Sequence, residues 1–138
     1  LSWGYLVPKI SKNVSDAIKL LKFGAPLNLI VLAFIIYLGP KAGAYHWAFF
    51  AVSSVFLSLT QPAVGMAFSL SNAGKALTSF NLLLFIGAFA LQWIIGVIID
   101  LTMNLGYSEI SGFRFAMMFF LLTSFFSYLF FLIKNSKN

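Results

Sequence analysis

Four long apolar runs, separated by short polar stretches, set the pattern of the chain: residues 15–38, 45–70, 79–101 and 112–133. Each is close to the roughly 20 residues that an α-helix needs to cross a bilayer. The first run predicts a helix from Ser15, an N-cap residue followed by Asp16, to Leu38, where Gly39-Pro40 ends it. Its uninterrupted apolar part, Phe23–Leu38, is slightly short, and Lys19 and Lys22 can snorkel to the headgroups. Gly24 and Pro26 predict a bend there. The second run opens on an interfacial aromatic group, Tyr45, His46 and Trp47, and carries Pro62, which predicts a kink. Ser71–Thr78 reads as a polar connection, and Asn104-Leu105-Gly106 as a turn. Gly112–Ile133 is crowded with Phe and apolar nearly all round, which predicts a peripheral helix facing lipid. Lys134–Asn138 is a basic, polar tail.

At the other end, Leu1–Val7 is apolar and aromatic until Pro8 stops it, and Lys9–Asn13 follows as a polar loop. That opening reads as the tail of a helix that begins further upstream. The expected fold is all-α: a polytopic transmembrane helix bundle of about four spanning helices plus the end of a preceding one. Residues 1–138 then form one partial transmembrane domain, a C-terminal piece of something longer.

The polar residues inside the spans carry the functional reading. In Ser79–Leu101, the stretch around which the rest is read, Asn81 and Gln92 are eleven residues apart. At about 100° per residue they share one helix face, near Ala88 and Gly96. An unpartnered amide is costly in hydrocarbon, so this face is expected to look at protein or water. In the second run Ser54, Ser58, Gln61 and Gly65 follow at steps of four, three and four, with Trp47 heading the same stripe. Both stripes fit helix packing, and both fit the wall of a solute pathway. They are neutral, which suits an uncharged or weakly charged solute.

Composition narrows the class. The chain is 61% hydrophobic and 9% charged, against about 25% charged for soluble domains, so an integral membrane protein is expected. Absence of Cys removes disulfides and thiolate metal sites. The basic residues lie at segment ends, the pattern of membrane orientation, and no nucleic-acid surface is formed. Four spans put Lys41 and Arg114 on one side, and Lys9, Lys12, Lys19, Lys22, Lys75, Lys134 and Lys137 on the other. The second side, with the C-terminus, is expected in the cytoplasm. No phosphate loop, catalytic triad or metal-ligand set is present in the sequence, so neither an enzyme nor a cofactor is expected. The lone His46 reads as an interfacial residue, and Asp100 and Glu109 as carboxylates at the outer surface.

Thr60–Phe68, then Ala73-Gly74-Lys75-Ala76, then Asn81, Gly87-Ala88-Phe89, Gln92, Gly96 and Asp100, resemble the last helices of bacterial major facilitator superfamily transporters. Leu1–Lys12, with Trp3-Gly4, Lys9 and Lys12, is similar to the loop between that fold's eighth and ninth helices, although it lacks the acidic residue of the stronger loop motif. The resemblance implies that the spans are helices nine to twelve of twelve, in the cell inner membrane. The tenth and eleventh would flank a central site, and the ninth and twelfth would lie outside. It further implies transport of a small solute by alternating access, with the lipid bilayer, the remainder of the transporter and a coupling ion as partners. Ser54, Ser58, Gln61, Asn81 and Gln92 are then the pathway candidates, and Asp100 the gate or coupling candidate. Two other expectations stand beside this one: a small multi-span partner or assembly protein without a solute pathway, and a non-functional transporter remnant.

Overall fold

The computed structural model describes residues 13–135. The Leu1–Val7 helix tail, Pro8 and all but the last residue of the Lys9–Asn13 loop lie outside the described residues, as do the last three residues of the basic tail. The helices are α1 (Val14–Leu38), α2 (Ala44–Ser54), α3 (Thr60–Ala67), α4 (Leu70–Asn104) and α5 (Glu109–Asn135), and no strand occurs among the described residues. A 3-10 segment, Val55–Leu59, joins α2 to α3. Counting α2 to α3 as one, the described residues hold four helices long and apolar enough to cross a membrane, and the fold is an all-α bundle.

The enclosed helix is α1, not the Ser79–Leu101 stretch. Ala17, Leu21, Gly24, Asn28, Val31 and Ile35 of α1 are buried, whereas α4 has no buried residue. Those six alternate steps of four and three, the 3.5-residue seam along which one helix is gripped by neighbours. Each span packs on the next, and α5 closes the ring by returning to α1. Neighbours run antiparallel: Asn28 of α1 meets Ser53 and Ser54 of α2, and Phe34 lies 6.0 Å from His46, centroid to centroid.

Several boundaries differ from the sequence reading. The N-cap of α1 is Asn13, in extended backbone, two residues ahead of the expected Ser15. The expected loop Ser71–Thr78 is helical, so α4 begins at Leu70 and runs for 35 residues. Ser69 caps it, with its carbonyl accepting from the amides of Asn72 and Ala73 at 2.8 Å each. Between them Ala73, Lys75, Ala76 and Leu77 favour helix, and the one Gly at position 74 costs only about 1 kcal/mol. At about 1.5 Å per residue α4 is ~52 Å long, well beyond the roughly 30 Å hydrocarbon core, so its polar first turns can stand in the headgroups.

The second span breaks where its proline demanded. Pro62 is the third residue of α3, a place where no intrahelical donor is required. Just upstream the backbone is overwound into the 3-10 segment Val55–Leu59. There Ser58 and Thr60 turn their hydroxyls onto the carbonyls of Val55 and Leu57, at 2.7 and 2.8 Å. The span ends at Ala67, not Leu70, because Phe68 is extended.

Pro26 sits inside α1 without ending it. A proline leaves the carbonyl four residues earlier without its amide partner. Here that carbonyl belongs to Lys22, and the Tyr128 hydroxyl of α5 donates to it at 2.8 Å. At the far end of α1, Arg114 of α5 donates to the carbonyls of Ile36 and Tyr37, at 3.2 and 2.9 Å. Those carbonyls belong to the last turn, where a helix runs out of its own donors and a cation is favoured. The helix then stops at Gly39, whose φ of 55° suits glycine. One helix thus satisfies carbonyls of another both at its proline break and at its C-terminal end.

The last helix is mostly unburied, as expected of a peripheral span, but one side of it is packed. Gly112 and Ala116, four apart, are its two buried residues. A Cβ at Gly112 would lie 2.7 Å from the Thr102 hydroxyl and 3.4 Å from the Ile99 Cα, so α4 and α5 touch nearly backbone to backbone. Without a hydrophobic drive inside lipid, such small-residue contacts are what hold spans together.

Candidate functional site

Where the four spans face one another they leave a half-open cavity of about 570 Å³. α1 contributes Asn28 and Leu32, α2 contributes Phe50 and Ser54, and Leu91 comes from α4. α5 contributes Phe120, Thr123, Ser124, Ser127, Tyr128 and Phe131. Among the described residues no charged side chain lines it. The walls are mostly apolar, interrupted by hydroxyls and one amide.

That amide, Asn28, is 6% exposed. Its nitrogen donates to the Ser53 and Ser54 hydroxyl oxygens at 2.9 and 2.8 Å and lies 3.4 Å from the Phe50 carbonyl. Both serines send their own protons to the Phe50 carbonyl, at 2.8 Å each. They can therefore only accept from Asn28, which fixes its amide with the nitrogen toward α2.

The sequence-derived candidates separate into five places. Ser54 lies in the cavity wall, hydrogen-bonded to Asn28. Ser58, on the same stripe, is exposed and bonded within its own turn, because the 3-10 segment changes the helical phase between them. Gln61 and Asn81 come together as an amide pair, Nε2 to Oδ1 3.3 Å, tying α3 to α4 outside the cavity. Below that pair Gly65 receives the Leu77 side chain, 3.5 Å from where a Cβ would stand. Gln92 is exposed and has no hydrogen-bond partner among the described residues. The break at Val55–Leu59 explains this, since α2 packs on α1 rather than continuing along α4. Asp100 is exposed near the end of α4. His46 serves the start of α2, its Nδ1 accepting from the Gly43 amide at 3.1 Å.

Sequence reasoning missed Asn28, the hydroxyls of α5, and Arg114 as a cap. Thr123, Ser124, Ser127 and Tyr128 are two adjacent pairs one turn apart, a stripe as regular as the one noted in α2. The abundance of Phe around them hid it. Asn28 had its signal too, as the one amide in the α1 seam.

The arrangement defines an all-α polytopic membrane protein whose spans surround a neutral, hydroxyl-bearing cavity. The chain matches no family model, no curated protein and no solved structure.

Proposed function

We propose that the chain is part of a longer secondary transporter, similar to the major facilitator superfamily, which moves a small uncharged solute by alternating access. The observation that carries this reading is the cavity: neutral hydrogen-bonding groups from α1, α2 and α5 converge on about 570 Å³ in an otherwise apolar bundle. Binding cavities for small molecules fall in the range of roughly 300–1,000 Å³, apolar with a few placed polar groups. Ser54 belongs to that wall. Gln61 and Asn81 brace the helix pair beside it, and Ser58 lies in the hinge-like 3-10 turn between α2 and α3. Gln92 would meet the remainder of the transporter, since an outward amide at mid-span needs a partner. Asp100 remains the gate or coupling candidate near a membrane surface.

These 138 residues contain no Cys, so single cysteines placed in them report cleanly once any Cys in the remainder of the full-length protein has been replaced. In the full-length protein, a Cys at Ser127 in the cavity wall is expected to react with a water-borne methanethiosulfonate. One at Phe126, next to it but facing outward and 63% exposed, is expected to stay unreactive in lipid. Equal protection of both would reject a water-accessible pathway.

The seven-to-two division of basic residues supports a cytoplasmic C-terminus in the cell inner membrane. A Cys at Ser108 is then expected to label in intact cells with an impermeant reagent, and one at Ser136 to escape. The opposite result would invert the topology.

A further inference from the structure

We infer that the cavity binds an uncharged, mainly apolar molecule through one O–H or N–H group, which donates to Oδ1 of Asn28. The inference deepens the transport reading and rests on it.

The argument starts from which protons are already in use. Asn28 is more than nine-tenths buried, and its nitrogen is held by Ser53 and Ser54. Those serines have committed their protons to the Phe50 carbonyl, so the amide cannot turn over without losing both bonds. Its carbonyl oxygen is left with no donor among the described residues, although the side chain lines the cavity. A buried acceptor without a donor is rare in folded proteins and carries a real desolvation cost.

Two of the hydroxyls around it have the same bias. Thr123 donates to the Phe119 and Phe120 carbonyls at 3.1 and 2.9 Å, and Tyr128 donates to Lys22. Facing the cavity, both offer oxygen lone pairs only. Ser124 and Ser127 also line the wall and make no hydrogen bond among the described residues, so the wall holds free hydroxyl donors. The unmet group is the buried Oδ1 of Asn28, which none of them reaches. With no charged side chain in the lining among the described residues, an ion would meet no counter-charge from them. Phe50, Phe120 and Phe131 supply faces for an apolar or aromatic body.

A matched pair of probes tests this: 2-naphthol, which is neutral near pH 7 and has one O–H, and 2-methoxynaphthalene, the same body without the donor. The full-length protein carrying Ser127→Cys is reconstituted in lipid, and each probe is scored by how far it slows methanethiosulfonate labelling. The naphthol is expected to protect at about tenfold lower bilayer concentration than the ether, the scale of one buried hydrogen bond. In the Asn28→Ala, Ser127→Cys protein the two are expected to protect alike. Because the ratio on the chain with Asn28 intact is itself decisive, the inference can fail even where Asn28→Ala does not fold. Equal protection by both probes, or protection by neither, overturns it while leaving a labelled, water-accessible pathway standing. Absence of labelling without any probe removes the pathway reading and this inference together. A naphthol preference that survives Asn28→Ala assigns the donor to another acceptor and also overturns it.

Discussion

Gly24→Ala lowers the thermal stability of the protein by about 1–3 kcal/mol, the range for overpacking a filled site. The added methyl would fall onto the Cβ and ring of Phe56, the side chain by which the 3-10 segment closes on α1. Helix propensity alone argues the other way, since Ala is favoured over Gly by roughly 1 kcal/mol within a helix. The clash wins because the atoms met first lie near the Phe56 backbone, where a rotamer change gives little relief. Phe56→Ala should relieve it. In thermal unfolding of the purified protein, the double variant is expected to be more stable than the two single losses added together. Simple additivity would show that Gly24 and Phe56 do not meet.

Tyr128→Phe removes one hydroxyl and strands the Lys22 carbonyl, at a cost of about 1–3 kcal/mol if the carbonyl finds no other donor. Values measured within membranes average closer to 0.6 kcal/mol, so the lower part of that range is expected. The background decides the interpretation. With Pro26→Ala in place, the new amide at position 26 can donate to Lys22, and Tyr128→Phe is then expected to cost almost nothing. An equal cost in both backgrounds would mean that Tyr128 acts through ring packing, as its stacking on Phe131 at 6.3 Å would allow.

Much of this was legible in the order of residues. The four spans, the stop at Gly39-Pro40, the turn ending in Gly106 and the break near Pro62 all follow from hydropathy and from what glycine and proline do to a backbone. What hydropathy could not rank was which apolar helix is enclosed. In a membrane chain the lipid face is as apolar as the core, so the contrast that marks a buried face in water is absent. The seam of α1 was therefore invisible as hydrophobicity and visible only as spacing. The same blindness hid the packed side of α5: the helix is mostly unburied, as expected of a peripheral span, and Gly112, Ala116, Arg114 and Tyr128 bind its one packed side to two neighbours. The amides failed differently. A shared face for Asn81 and Gln92 assumed one partner helix along the whole of α4. The 3-10 turn ends that partnership after Gln61, which leaves Asn81 paired and Gln92 outside.

The most direct measurement for the account as a whole uses a single Cys at Ser54, the wall residue bonded to Asn28. The full-length protein carrying Ser54→Cys is prepared in right-side-out and in inside-out sealed vesicles, and the rate of reaction with an impermeant methanethiosulfonate is followed in each. An alternating-access cavity predicts reaction in both orientations, because the same wall opens to each side in turn. Reaction from one side only, or from neither, would contradict a transport pathway through this cavity.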